Sequence, residues 1–177
     1  MGVEQVSGTS RPLLILDANI LVDYAHCDDS IIALISAHVG TIHVAAPVLG
    51  EVKEIAEADC ARLGITLVEP DVDQLLTAAQ GRGRLSMQDH LCLLLAKERG
   101  WTCVTNDRPL RRECEAQGVP LIWGIELICK LVEAGGLRSA DARDVICCIH
   151  RNNPRYISLD VVRSAFARLG IEFESPL

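Results

Sequence analysis

Short apolar runs alternate along this chain with longer segments whose apolar residues recur at helical spacing. The apolar runs cover residues 13–16, 41–45, 65–68, 101–105 and 119–123. The helical segments that alternate with them cover residues 20–25, 30–38, 47–55, 71–79, 86–99, 109–117 and 125–134. Strands that alternate with helices form a mainly parallel sheet with helices on both faces. The order of segments therefore predicts a three-layer α/β/α fold.

Beyond Gly136 the alternation stops and only helical segments remain. Apolar residues recur at helical spacing over residues 140–150 and again over residues 158–169. No Pro/Ser-rich linker separates these segments from the rest of the chain. We therefore expect a domain of residues 1–136 and a helical C-terminal extension of residues 137–177 that packs on it.

The composition suits a protein with a large aliphatic core. Hydrophobic residues make up 49% of the 177 residues, aromatic residues make up 3%, and the mean hydropathy is +0.23, which argues against disorder. The net charge of −7 argues against nucleic-acid binding through a broad basic surface. No apolar stretch reaches the ~18 residues of a membrane span, and the first dozen residues lack the apolar segment of a signal peptide. We expect a cytoplasmic protein with no membrane partner.

The chain has eight cysteines, whose positions do not suggest a zinc site or a disulfide framework. No two form a CxxC pair, and no Cys/His cluster has the spacing of zinc ligands. Most lie among Leu, Val and Ile, where a free cysteine behaves as a small hydrophobic residue. We expect reduced, buried thiols at Cys27, Cys60, Cys92, Cys103, Cys114, Cys129, Cys147 and Cys148.

Four carboxylates stand where a predicted strand ends or a predicted helix begins: Asp17, Glu51, Asp89 and Asp107. In parallel α/β sheets, ligands bind outside the carboxyl ends of the strands, which is where Asp17 and Asp107 fall. Acids gathered at one place repel one another, and a bound divalent cation offsets that repulsion. The pattern predicts that all four residues are catalytic and bind metal, in chemistry on a phosphate.

Each of these acids also fits a purely structural role. Asp17 and Asp107 stand where an Asp caps the helix that follows. Ser86 and Asp89 have the spacing of a capping box, with Asp in place of Glu or Gln. Glu51 lies at the border of an apolar helical stripe, as a solvated residue does.

Polar and basic residues accompany the four acids. Asn19 follows Asp17 by two positions, so it fits either a partner for that carboxylate or a plain helix cap, and Thr105 and Asn106 add polar groups beside Asp107. We predict supporting roles for these three residues. Five arginines form two local clusters and are predicted to contact substrate phosphates, although each alone fits a solvated surface charge: Arg82 and Arg84 in one, and Arg108, Arg111 and Arg112 in the other.

From Leu13 to Ala134 the chain resembles PIN-domain proteins, a family of metal-dependent ribonucleases. The resemblance rests on the segments LLILDANILVDY, APVLGEV, LSMQDHLCLLLAKERG and CVTNDRPLRRECEAQGV. Its most specific part is TND followed by a basic helix and then GVP-x-x-x-G. The resemblance implies a PIN-like fold, with the four acidic positions of the family at Asp17, Glu51, Asp89 and Asp107 and its polar companions at Asn19 and Thr105.

The resemblance also implies an activity and partners. One or two Mg²⁺ or Mn²⁺ ions bound by the carboxylates would support hydrolysis of RNA, leaving a 5′-phosphate and a 3′-hydroxyl. Many short prokaryotic members are toxins of type II toxin–antitoxin pairs, of the VapC kind, which implies a small antitoxin as a possible partner. Relatives often form homodimers.

Other classes of protein account less well for the same residues. A receiver domain has adjacent acids after its first strand and a lysine after a late strand, whereas this chain has a lone Asp17 and the TND segment. A haloacid-dehalogenase-type phosphatase has DxD, but Asn19 occupies the third position here. A non-catalytic module that binds a basic protein through an acidic groove remains the alternative, and EDTA would not affect its binding.

Overall fold

A five-stranded parallel sheet forms the centre of the molecule, in a computed structural model that describes residues 11–173. The strands are β1 (Leu13–Leu16), β2 (Thr41–Ala45), β3 (Ile65–Val68), β4 (Thr102–Val104) and β5 (Leu121–Ile122). Their order across the sheet is β3-β2-β1-β4-β5, and every neighbouring pair is parallel. The α/β/α fold that the alternation predicts is confirmed.

Ten α-helices lie within the described residues. Their bounds are α1 (Ala18–Asp28), α2 (Ser30–His38), α3 (Ala46–Leu49), α4 (Cys60–Leu63), α5 (Val72–Ala79), α6 (Met87–Arg99), α7 (Arg108–Ala116), α8 (Gly124–Glu133), α9 (Ser139–Asn152) and α10 (Leu159–Leu169). Helices α1, α2 and α8 belong to one packed group, and α5, α6 and α7 form another. Strand β1, at the centre of the sheet, is therefore buried from Leu14 to Leu16.

The pairing of β1 with β4 sets the position of the polar residues that follow these strands. Leu16 is paired with Val104, so Asp17 and Thr105 leave the same edge of the sheet side by side. The backbone N–H of Asp17 still donates to the carbonyl of Val104 at 3.2 Å. Carboxyl ends of parallel strands meet at one edge, and the two segments converge there for that reason.

The helices after Gly136 pack on the rest of the molecule. Helix α9 contacts α1 and α8, and α10 contacts α8 and α9. Arg168 of α10 forms a bidentate ion pair with Glu133 of α8. Its Nε donates to Oε1 at 2.6 Å, and its Nη2 donates to Oε2 at 2.8 Å. The two helices thus lie where the expected extension falls, while the division of the chain at residue 136 stays a prediction.

The helix expected from Pro47 to Ile55 is wrong in its extent. Helix α3 ends at Leu49, and Gly50 leads into a turn in which Val52 N–H donates to the carbonyl of Leu49 at 2.9 Å. Val52 and Ile55 are nevertheless buried, so the apolar spacing reports burial and not a continuous helix. The sequence reading also missed a 3₁₀ turn at Glu57–Asp59 and helix α4.

The expectation of reduced cysteines is wrong for one pair. Cys27 of α1 and Cys148 of α9 form a disulfide whose Cα atoms lie 5.8 Å apart. The six other cysteines are free thiols, and all except the half-buried Cys147 are buried.

Among the residues described, no helix has both the length and the apolar character that a membrane crossing requires.

Candidate active site

Asp17 is a buried carboxylate at the carboxyl end of the central strand. It is the N-terminal cap of α1, and its Oδ1 accepts a hydrogen bond from Ile20 N–H at 2.9 Å. Its Oδ2 accepts a hydrogen bond from the hydroxyl of Thr105. Only 2% of Asp17 is exposed, so the carboxylate depends on these two donors for the solvation that water would otherwise provide.

The environment of Asp17 disfavours a negative charge. Burial raises the pKa of the Asp17 carboxyl from its ordinary 3.8 to about 7. Hydrogen bonds from Thr105 and Ile20 oppose this rise, while the negative charges of Asp89 and Asp107 add to it. A cation beside Asp17 would reverse the balance, because an opposite charge favours the ionised form.

Thr105 connects Asp17 to Asp107. Its side-chain oxygen accepts a hydrogen bond from Asp107 N–H at 3.0 Å while its hydroxyl proton points to Asp17. Asp107 in turn caps α7, because its Oδ1 accepts from Leu110 N–H at 2.9 Å. The predicted support from Thr105 is therefore a direct contact in the structure, and Asp107 combines a capping role with its charge near Asp17.

Asp89 reaches the same place from the start of α6. Ser86 Oγ accepts from Asp89 N–H at 3.0 Å, and Asp89 Oδ2 accepts from Ser86 N–H at 2.9 Å. This reciprocal pair is a capping box. The structural alternative for Asp89 is thus real, and the carboxylate still raises the pKa of Asp17 through its charge.

Three of the four predicted acids line one cavity of about 130 Å³: Asp17, Glu51 and Asp89. Glu51 is exposed and stands in the turn after α3, not on a helix. Asn19 also lines the cavity but is exposed, and the two carboxylate oxygens of Asp17 are bonded to Ile20 and Thr105 instead. The remaining wall consists of Ala18, Val48, Ser86, Gln88 and Cys92.

The donors in this cavity suit a hydrated divalent ion. Within residues 11–173, no three His, Cys, Asp or Glu side chains form a ready-made metal cluster. Mg²⁺, however, keeps several of its waters and is commonly held by only one or two carboxylates. The cavity volume of about 130 Å³ is roughly ten times the 10–15 Å³ that one water requires. The hard oxygen donors and the mutual repulsion of the acids fit such an ion.

Asn106, for which the sequence predicts a supporting role beside Asp107, forms hydrogen bonds with residues outside the acidic cavity. Its Oδ1 accepts from Gly124 N–H at 3.0 Å, and its amide nitrogen donates to Asp23 Oδ2 at 3.2 Å. Asp23, a buried acid of α1, also accepts from the amide of Asn153 at 3.2 Å. The sequence reading missed Asp23, although an Asp between Val22 and Tyr24 on an apolar helix signals a buried polar contact.

Four of the five predicted arginines surround one groove of about 470 Å³: Arg82, Arg84, Arg108 and Arg112. One acid, Glu113, also lines it. The groove lies next to the acidic cavity, because the consecutive residues Leu85 and Ser86 line the groove and the cavity, respectively. The fifth arginine, Arg111, is half-buried and places its guanidinium carbon 3.5 Å from the centroid of the Trp123 ring.

Among solved structures, the chain is similar to a PilT N-terminus domain protein from the hyperthermophilic archaeon Sulfolobus solfataricus P2. The superposition has a TM-score of 0.52 at 12% sequence identity, and it covers 68% of this chain and 94% of that protein. No protein-family model matches the sequence, and no curated protein matches it. At this identity the similarity defines the fold, which is the PIN-like α/β/α fold.

Proposed function

We propose that the chain is a divalent-metal-dependent endoribonuclease. The observation that carries this proposal is the adjacency of two unlike surfaces at one edge of the sheet. One is the acidic cavity at Asp17, and the other is the groove lined by four arginines. A nuclease needs both, because a metal ion requires acids and a phosphate chain requires cations.

Each part of the site has a distinct role in the proposed reaction. Asp17, Glu51, Asp89 and Asp107 would hold Mg²⁺ or Mn²⁺, directly or through water. When bound, such an ion lowers the pKa of a water ligand and offsets charge on the phosphate. Thr105 donates a hydrogen bond to Asp17 Oδ2 and would help to orient this carboxylate toward the ion.

The arginine groove would position RNA without reading its sequence. Contacts to phosphate oxygens set the register of a nucleic acid but carry no base information. The groove concentrates positive charge on a protein whose net charge is −7, so binding would be confined to this region. In this proposal the groove provides the phosphate contacts, and Arg111 lies outside its lining with its guanidinium over Trp123.

The test is cleavage of a labelled single-stranded RNA by the pure protein with Mg²⁺, with Mn²⁺ and with EDTA. Wild-type protein should cleave only with a metal ion. Asp17→Ala, Glu51→Ala, Asp89→Ala and Asp107→Ala should each lose cleavage while remaining folded, because a misplaced ion activates no water. Asp73→Ala is the matched control, since Asp73 is an exposed acid on α5. Cleavage that persists in EDTA, or in folded Asp17→Ala, contradicts the proposal.

A toxin role would extend this function. In that case the partner is a small antitoxin with a basic segment, which the acidic cavity and the negative net charge would attract. Both proteins would act in the cytoplasm, and the toxin itself could form a homodimer. Co-expression tests the idea, because a cognate partner should restore growth that the wild-type chain suppresses and that Asp17→Ala does not suppress.

A non-catalytic binding module is the second candidate, and one observation favours it. No three potential ligands in residues 11–173 form a ready-made metal cluster. Such a module would bind a basic protein through the same cavity. EDTA would leave that binding unchanged, and neither metal would stabilise the fold, whereas an ion that binds only the folded state raises its melting temperature.

A further inference from the structure

The end of helix α9 is connected to the segment that carries Thr105 and Asp107. The side-chain amide of Asn153, directly after α9, donates to Asp23 Oδ1 at 3.2 Å. The other oxygen of Asp23 accepts from the amide of Asn106 at 3.2 Å. Asp23 thus joins the C-terminal helices to the residue that separates Thr105 from Asp107.

The connection continues into the first turn of α8. The Oδ1 atom of Asn106 accepts from Gly124 N–H at 3.0 Å, and the Gly124 carbonyl accepts from the hydroxyl of Tyr24 at 2.8 Å. A Cβ at Gly124 would lie 2.7 Å from Ile20 Cδ1 and 3.2 Å from the Asn106 amide nitrogen. Asn106 and Ile20 therefore pack directly against the Gly124 backbone, with no space for a side chain at this position.

The ionised form of the Asp23 carboxyl is favoured by hydrogen bonds from the side-chain amides of Asn106 and Asn153. Asp23 is 6% exposed, and burial raises the pKa of its carboxyl, whereas the hydrogen bonds from Asn153 and Asn106 and the charge of His26 lower that pKa. A buried carboxylate with a missing donor either takes up a proton or draws in water. Either change alters the group that holds Asn106.

We propose that Asn153 is a positioning residue for the candidate active site, acting through Asp23 on Asn106 and hence on the Thr105–Asp107 segment. The catalytic part of this inference rests on the proposed nuclease function, while the structural part does not. It gives the C-terminal helices a role in the site that they do not touch. Displacement of Asn106 would move both Thr105, which donates to Asp17, and Asp107, which caps α7.

The experiment compares Asn153→Ala with Asn152→Ala. Asn152 is the adjacent residue of the same type, but its amide lies 3.6 Å from Cys27 Sγ and 3.5 Å from Cys148 Sγ instead of near Asp23. Hydrogen exchange of two backbone amides is measured in EDTA: Asp107 N–H, bonded to Thr105, and Gly124 N–H, bonded to Asn106.

Asn153→Ala should raise exchange at both amides by roughly 3- to 10-fold, the factor for one lost hydrogen bond, and Asn152→Ala should not. In RNA cleavage, Asn153→Ala should lower kcat with KM nearly unchanged, because the arginine groove is intact. Asp23→Asn is the second variant if Asn153→Ala folds poorly, because it keeps the shape of the side chain. The same local exchange pattern is expected for it.

Three outcomes overturn the proposal. They are unchanged exchange at Asp107 and Gly124 in Asn153→Ala, an equal effect in Asn152→Ala, and a uniform rise that includes the core strand amides of Leu16 and Val104. Failure of the nuclease proposal is a separate result, because it shows as absent cleavage by the wild type. The exchange comparison needs no activity and would still support or overturn the coupling.

Discussion

Ser86 and Asp89 each satisfy a backbone N–H of the other at the start of α6, with distances of 3.0 and 2.9 Å. The Asp89 carboxylate therefore caps the helix and also forms part of the cavity wall beside Asp17. The capping role depends on the hydrogen bond to Ser86 N–H, whereas the role in the cavity depends on the negative charge of the carboxylate. They are separable, because Ser86 shares the first role but carries no charge for the second.

Ser86→Ala and Asp89→Asn should differ in their response to metal. Ser86→Ala removes the acceptor for Asp89 N–H and should lower the free energy of unfolding by ~1 kcal/mol, with the Mg²⁺-induced rise in melting temperature kept. Asp89→Asn should lose most of that rise, because it removes a charged oxygen ligand. Thermal unfolding with and without millimolar Mg²⁺ measures both. Equal metal responses would mean that Asp89 is only a cap.

The raised pKa of Asp17 predicts a pH dependence of stability in metal-free protein. The folded-state pKa is about 7 and the ordinary value is 3.8, so the folded protein holds a proton that the unfolded chain releases between these values. This contribution is fully present below pH ~4 and is lost as pH rises to ~7, at about 1.4 kcal/mol per pH unit.

Urea unfolding in EDTA at several pH values tests this sign. The difference in the free energy of unfolding between wild type and Asp17→Asn should change steadily in favour of the variant from pH 4 to 7. Above pH 7 this difference should stay constant. Mg²⁺ should stabilise the wild type more at high pH than at low pH, because a cation binds the ionised carboxylate. A pH-independent difference would show that Asp17 is ionised throughout.

The sequence was sufficient to predict the sheet and the strand-end residues. Asp17 and Thr105 converge because their strands are parallel neighbours, and alternating strands and helices indicate such a sheet. Capping signals are equally local, which is why the Ser86–Asp89 box was visible. The direction of a side chain at a strand end is not local. Asn106 faces Asp23 and Gly124 because the packing of α1 and α8 places them there.

Two other features lay beyond any sequence pattern. The spacing of Val48, Val52 and Ile55 fits a helix, yet only the burial is real, because Gly50 follows α3 and the chain turns. The Cys27–Cys148 bond spans 121 residues, and cysteine connectivity cannot be deduced from spacing alone. It depends on how α9 packs on α1, which is a result of the complete fold.

The arginine groove should bind RNA with a measurable salt dependence. Arg112→Ala should weaken binding and reduce the slope of log K against log salt by about 0.7 for one lost contact to single-stranded RNA. Arg111→Ala should leave the slope unchanged and instead lower stability by roughly 0.5–2 kcal/mol, since its guanidinium stacks on Trp123. Fluorescence anisotropy of a short RNA in EDTA measures binding without cleavage. Equal slopes for Arg112→Ala and wild type would exclude the arginine groove as the RNA-binding surface.

Reduction of the Cys27–Cys148 disulfide should destabilise the protein. The bond closes a loop with a sequence separation of 121 residues, and such cross-links stabilise by roughly 2–5 kcal/mol, mainly through the unfolded chain. Dithiothreitol should shift the urea midpoint of wild type and of Cys147→Ser, the control at the adjacent free thiol. It should not shift Cys27→Ser. A wild-type midpoint that ignores the reductant would mean that the bond does not form in solution.

Gly81 allows the loop of Arg82 and Arg84 to lie against His90. A Cβ at Gly81 would stand 2.3 Å from His90 Cδ2, and His90 Nε2 is buried with no hydrogen-bond partner among the described residues. Gly81→Ala should therefore displace the loop, cost ~1–3 kcal/mol of stability as overpacking does, and weaken RNA binding at the groove.

A double-mutant comparison separates this steric effect from a general effect of alanine. His90→Ala removes the ring that the new methyl group would meet, so Gly81→Ala should cost much less in the His90→Ala background than in wild type. Residues in contact show such non-additivity, whereas distant residues do not. Urea unfolding gives the stability arm, and anisotropy in EDTA gives the binding arm. Additive losses in both would show that the loop does not depend on the contact between Gly81 and His90.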